Sequence, residues 1–144
     1  MITGRLLHPQ LLAALAGAGH GATVLIADAL YPHSTGAPST AERVHLNLCD
    51  GMVPAATVLD VVAATTPIEA ATFMEDADGA ASAPVREFQQ ILAAHRHSRD
   101  HTVAFSGLER HEFYRACRSP DLCLLIATGE TRPYANLLLT IGVP

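Results

Sequence analysis

No lysine occurs anywhere in the 144 residues, and all nine basic side chains are arginines. That absence removes Schiff-base chemistry, the phosphate-holding lysine of a Walker A loop and any polybasic membrane patch. Charge of either sign is scarce, at 16% of residues, and 14 acids against 9 bases leave a net −5 with no basic run. Nucleic acid is therefore not an expected partner. No apolar run approaches the roughly 20 residues of a membrane span. The N-terminal "LLAALAGAG" follows only Arg5 and a breaking "HPQ", so it reads as a helix rather than a signal peptide. Cysteine is limited to Cys49, Cys117 and Cys123, with no C-x-x-C pair. An odd number in such a chain reads as reduced, mainly buried thiols in a cytoplasmic protein.

Apolar residues, by contrast, make up 49% of the chain. At this length one core suffices, so residues 1–144 are expected to form a single domain. A surface so poor in charge also favours a homo-oligomer, in which other subunits cover part of it.

Periodicity divides the chain into alternating elements. Pro9 opens a helix over 9–18, with Leu11, Leu12, Leu15 and Ala18 at helical spacing before Gly19. "TVLIAD" (23–28) is an almost wholly apolar strand, the pattern of one covered on both faces. "ALYPHSTGAPST" is a long loop and "RVHLNL" (43–48) an alternating strand. A helix then opens at Pro54 with Val58, Leu59 and Val62 on one side. "IEAATFME", "TVAFSG", "LCLLIAT" and "NLLLTI" read as strands, and "VREFQQILAAHR" and "LERHEFYRACR" as helices. Strands alternating with helices predict a layered α/β/α sandwich with a largely parallel central sheet, whose ligand crevice lies past the carboxyl ends of the strands.

Two groups in "GAGHGATVLIAD" are suited to moving or holding protons. His20 lies between glycines that let the backbone turn tightly and present the imidazole, although a helix-capping histidine fits the same spacing. Asp28 ends the strand where a crevice is expected, although it also suits the opening of an Asx turn. A strand rises about 3.3 Å per residue, so residues 23–28 separate the two by roughly 20 Å. If both serve one site, that site is composite, with His20 of one chain facing Asp28 of the next.

In "GETRPYANLLL", Tyr134 and Asn136 lie two apart and share a side if the strand has begun; a phenol and an amide together both donate to and accept from hydroxyl groups. Both residues also suit a purely structural turn. Arg110 and His111, early in the "LERHEFYRA" helix, are the kind of groups a solvated helix face carries. "HRHSRDH" brings His95, His97 and His101 close in sequence, but the spacings of two and four match no common ligand signature, so no metal site is expected.

Taken together, "LLAALAGAGHGATVLIADALYP", "ERHEFYRA" and "ATGETRPYANLLLTIGV" resemble the ribose pyranase and fucose mutarotase family. The resemblance runs over nearly the whole chain and is weakest between residues 66 and 105. It implies an α/β fold, assembly into pentameric rings or decamers with an intersubunit site, and a cofactor-free isomerase that interconverts anomers or ring forms of a free monosaccharide. It places the proposed proton donor on His20, the aspartate of the family's "AD" on Asp28, and sugar contacts on Tyr134, Ala135 and Asn136.

The branches of that family divide at residues 110 and 111. "ERVHLNL", "PYAN" and His111 are similar to the ribose pyranase branch, where a histidine binds sugar. Arg110 and "EFYRA" are similar to the fucose mutarotase branch. The resemblance puts L-fucose ahead of D-ribose, with Arg110 or His111 contacting the far hydroxyls. The competing reading is a non-catalytic monosaccharide-binding or sugar-uptake accessory protein.

Overall fold

A computed structural model describes residues 1–95 and 102–144. Among these residues the chain runs α1 (Pro9–Gly17), β1 (Thr23–Ala27), β2 (Glu42–His45), α2 (Ala55–Ala63), β3 (Ile68–Met74), α3 (Ala83–Ala94), β4 (Ala104–Leu108), α4 (Arg110–Ala116), β5 (Leu122–Ala127) and β6 (Leu137–Ile141).

Local capping chemistry starts α1, α3 and α4. Pro9 occupies the first turn of α1, and the His8 imidazole Nδ1 accepts the Leu11 N–H, a capping bond that satisfies a donor the helix leaves open. The Ser82 hydroxyl does the same for Val85 in α3, and the Glu109 carboxylate accepts the His111 and Glu112 N–H groups at the head of α4. In α3, Val85, Phe88 and Leu92 fall on one face at spacings of three and four and are buried.

The strands form one sheet in the order β2-β5-β1-β6-β3-β4. β1 pairs in parallel with β5, β5 with β2, and β3 with β4, whereas β6 runs antiparallel to both β1 and β3. Five strands thus point one way and only β6 is reversed, so the sheet is largely parallel and mixed. Val24, Leu25, Ile26 and Ala27 of β1 are all buried because both sheet faces are covered. Val24, Ile26, Leu124, Ile126, Leu137 and Leu139 pack toward α1, α2 and α3. Leu25, Ala27, Leu125 and Leu138 pack toward α4 and the segment after β1.

That segment, whose composition reads as an open loop, is a packed part of the second outer layer. Tyr31 is buried with its hydroxyl donating to the Gly36 carbonyl at 2.7 Å. A β-carbon at Gly36 would stand 2.5 Å from the Tyr31 ring, so only glycine fits there. Arg43 of β2 reaches back and donates to the carbonyls of His33, Ala37, Pro38 and Ala41. One guanidinium therefore holds the nine residues 33–41, which have little regular structure. Arg43→Ala is expected to cost about 2 kcal/mol in urea unfolding, the usual scale for hydrogen bonds to a charged group. An unchanged midpoint would show that the loop closes without it.

β2 ends at His45 rather than at Leu48. The Leu46 N–H still bonds the Ala127 carbonyl, but the chain then folds back, with Gly51 donating to Gly129 and Gly129 to Val53. Gly129 lies so close to the Met52 carbonyl that no side chain fits there. This turn leaves Leu48 exposed, the opposite of what its place in an alternating run implies.

Candidate active site

The carboxyl ends of β1, β3, β4 and β5 and the start of reversed β6 meet along one edge of the sheet. Asp28 follows β1 and Asn136 precedes β6, so the β1–β6 pairing sets them side by side. The Asp28 N–H donates to Asn136 Oδ1 at 2.9 Å, and Asn136 Nδ2 donates back to Asp28 Oδ2 at 2.8 Å. Oδ2 also accepts the Ala135 N–H at 3.2 Å, and Oδ1 accepts the Leu30 N–H at 3.0 Å. Asp28 is 2% and Asn136 3% exposed, so this reciprocal pair is the floor of the site.

Burial raises the Asp28 carboxyl from its ordinary value, while the bonds donated by Ala135, Leu30, Tyr31 and Asn136 oppose that rise. With both oxygens already accepting bonds, Asp28 is built to be held in place and to accept one further hydroxyl. It is poorly placed to swing as a proton carrier.

Above the pair lies a pocket of ≈ 200 Å³, whose walls include Leu30, Met74, Arg110, Tyr114, Pro133 and Tyr134. Arg110 and Tyr114 are four apart on α4 and therefore share a face, with the guanidinium 5.5 Å from the ring centre. Tyr114 in turn leans on Tyr31, their ring centres 5.5 Å apart. Tyr134 lies in the left-handed region at φ 58, before the strand starts at Leu137. The two-residue alternation therefore does not place it, and the turn brings Tyr134 and Asn136 to the same pocket by another route.

The turn is itself clamped. Glu130, 4% exposed, receives Arg132 Nε on Oε1 and Arg132 Nη2 on Oε2, both at 2.9 Å, and Arg132 Nη1 reaches Glu87 on α3. Arg132 holds the Glu130 carboxyl below its ordinary value of 4.5. A depressed carboxyl contributes stability above the unfolded value and loses it as pH falls through the folded one. Wild-type protein is therefore expected to lose stability in acid below pH 4.5, the ordinary value. Glu130→Gln should flatten that limb and lower neutral stability by about 1 kcal/mol, Arg132 being half exposed. Parallel acid unfolding curves for the two proteins would refute the assignment.

The remaining sequence-selected residues fall elsewhere. His111 is exposed and does not line the pocket. His20 stands at the opposite edge of the sheet, where Gly21 N–H bonds the carbonyl of Ile141 at the far end of β6. Its side chain is 59% exposed and its Nε2 lies 2.9 Å from Glu69 Oε2. Within one chain, then, the imidazole and Asp28 do not share a site. Of the histidine-rich stretch, His97 and His101 lie outside the described residues, while His95 Nε2 lies 2.7 Å from Asp60 Oδ1. Among the described residues no group of three or more metal-ligating side chains occurs, and no helix is long and apolar enough to cross a membrane.

Leu30, Met74, Tyr114 and Pro133 were not singled out from the sequence. Tyr114 carried a readable signal, being one helical turn from Arg110. Met74 and Leu30 look like any apolar residue at the end of a strand.

Comparisons with known proteins bear on the family and the fold. The chain is 30% identical to D-ribose pyranase of Cronobacter sakazakii (strain ATCC BAA-894), with 99% of each chain covered. It is 34% identical to human fucose mutarotase, over 96% of this chain and 90% of that one. The structure of Bacillus subtilis RbsD complexed with D-ribose superposes with a TM-score of 0.81 at 24% identity, covering 100% of this chain and 99% of the other, which establishes the shared fold. The model of one family matches residues 1–144 without a break, and on that match the chain belongs to the RbsD / FucU transport protein family.

Proposed function

We propose that this protein is a monosaccharide mutarotase, an isomerase that interconverts the anomers or ring forms of a free sugar by general acid/base proton transfer. Mutarotation removes a proton from the anomeric hydroxyl and delivers one to the ring oxygen; the open aldehyde then recloses on either face. Positioned acid and base groups suffice, and they typically contribute 10²–10⁴-fold. His20 is assigned as the acid/base, since one imidazole can both accept and donate a proton. Asp28 and Asn136 hold the ring, Ala135 braces Asp28 through its backbone, and Tyr134 and Arg110 read the outer hydroxyls.

The carrying observation is the pocket floor, where a buried carboxylate and amide are locked together beneath walls able to donate to hydroxyls. His20 stands at the other sheet edge, so the reading requires a homo-oligomer, ring or decamer, in which a neighbour's His20 closes the pocket. L-Fucose is placed ahead of D-ribose because Arg110, the fucose-type feature, lines the pocket and His111 does not. Leu30, Met74 and Pro133 give it an apolar wall suited to the methyl group of a 6-deoxy sugar.

One observation favours a second reading, a non-catalytic sugar-binding or uptake accessory protein: among the described residues, the pocket of a single chain presents hydroxyl-reading groups but no histidine. Saturation-transfer NMR of the anomeric protons of L-fucose and D-ribose decides. Accelerated exchange supports the mutarotase; ligand broadening without exchange supports the binding protein; neither effect removes both.

A further inference from the structure

Glu69 is 49 residues from His20 in sequence and beside it in the fold. Independent features of the backbone produce that meeting. In β3, Ile68 pairs with Ile141 and Ala70 with Thr140, so Glu69 is an extra residue opposite β6. A bulge of this kind bends the strand and re-aims one side chain, here the glutamate. Gly142 lies against it: a β-carbon there would stand 3.1 Å from Glu69 Cβ and 3.2 Å from its backbone nitrogen. The histidine is fixed to the same corner. The Gly21 N–H donates to Ile141 at 2.9 Å, and the Gly142 N–H donates to Pro67 at 2.9 Å. Gly21 takes φ +82, a turn that glycine adopts freely.

An exposed ion pair adds little to stability, and His20 and Glu69 are 59% and 43% exposed. The corner is thus better explained by what it does to the imidazole. Resting on the reading of His20 as acid/base, we propose that Glu69 is its positioning residue: the carboxylate accepts the Nε2–H, which turns the Nδ1 lone pair toward the sugar of the neighbouring subunit.

The step balances without a co-reactant. Nδ1 takes the proton of the anomeric hydroxyl, C1=O1 forms as C1–O5 breaks, and the electron pair of that bond goes to O5. The imidazolium, whose charge Glu69 offsets, then returns the proton to O5. The product is the open-chain aldehyde, and ring closure reverses the sequence on either face.

The test compares full-length wild type, Glu69→Gln, Glu69→Ala and His20→Ala, with anomer exchange of L-fucose and D-ribose measured over a range of sugar concentrations. Both Glu69 variants are expected to lower kcat about tenfold with KM unchanged, as for a group that acts through the base and does not touch sugar. The His20 Nε2–H proton resonance, present in wild type, should vanish in Glu69→Ala. Glutamine keeps the shape of the bulge, so its loss of rate cannot be assigned to misfolding. Wild-type kcat in both Glu69 variants beside a slow His20→Ala overturns this inference and leaves the function standing. A fast His20→Ala overturns both. If no form exchanges either sugar, the Nε2–H signal, which needs no turnover, still decides the pairing.

Discussion

His20→Ala is expected to slow anomer exchange by at least tenfold, and by as much as 10²–10⁴-fold if the imidazole carries both proton transfers. The fold should survive, because the side chain is exposed within the chain and, among the described residues, it pairs with Glu69, itself 43% exposed. The backbone that places it depends on glycines and on two bonds with β6, Gly21 N–H to the Ile141 carbonyl and Ile141 N–H to the Ala22 carbonyl, and alanine disturbs neither. Sugar affinity should change little, since Asp28, Asn136, Tyr134 and Arg110 remain. Loss of exchange with retained binding, read from the same NMR titration, separates a chemical role from a structural one.

Asn136→Leu is expected to give the largest loss of stability, about 3 kcal/mol in urea unfolding, together with loss of sugar binding. Leucine has a similar size, so packing is nearly conserved and the effect isolates polarity. The substitution leaves the Asp28 N–H without its acceptor and Asp28 Oδ2 without its closest donor, in two residues that are only 2% and 3% exposed. Each such buried, unsatisfied group costs about 1–3 kcal/mol. Set against a total stability of roughly 5–15 kcal/mol, the variant remains foldable but marginal. Asp28→Asn offers a milder comparison, because an amide can still accept from Ala135 and Leu30 while the buried charge disappears. A small effect of Asn136→Leu would mean that the pair is solvated and that the pocket floor is not preorganised.

The elements were readable wherever one physical pressure dominated. "TVLIAD" and "LCLLIAT" are almost wholly apolar because helices or packed chain cover both faces of the sheet, and Phe88 and Leu92, read as facing inward, lie on the buried face of α3. Pro9 announces a helix start through backbone chemistry that needs no tertiary context, whereas α3 begins at Ala83, two residues before the segment "VREFQQILAAHR" read as helix. The end of β2 was not readable, because a turn tied to Gly129, some eighty residues on, withdraws Leu48 from the sheet.

The site divides in the same way. Asp28 could be chosen because strand ends line crevices in α/β folds, Tyr134 and Asn136 as a phenol and an amide two apart, and Arg110 because the resemblance named it. Their mutual bonding was out of reach: it depends on β6 entering the sheet reversed, next to β1. The Arg43 clamp and the Glu69 contact were hidden for a similar reason. Each joins a side chain of ordinary appearance to backbone or ring atoms that only the folded path brings near.

The central claim is that one site draws His20 and Asp28 from two copies of the chain. Subunit mixing tests it most directly, with His20→Ala and Asp28→Ala chains each inactive alone, then unfolded together, refolded at equal concentration and assayed for anomer exchange. Random assembly puts an intact histidine opposite an intact aspartate in about a quarter of the sites of a ring, so exchange should return to about that fraction of wild type. Mixed oligomers with no more activity than either parent would contradict the account.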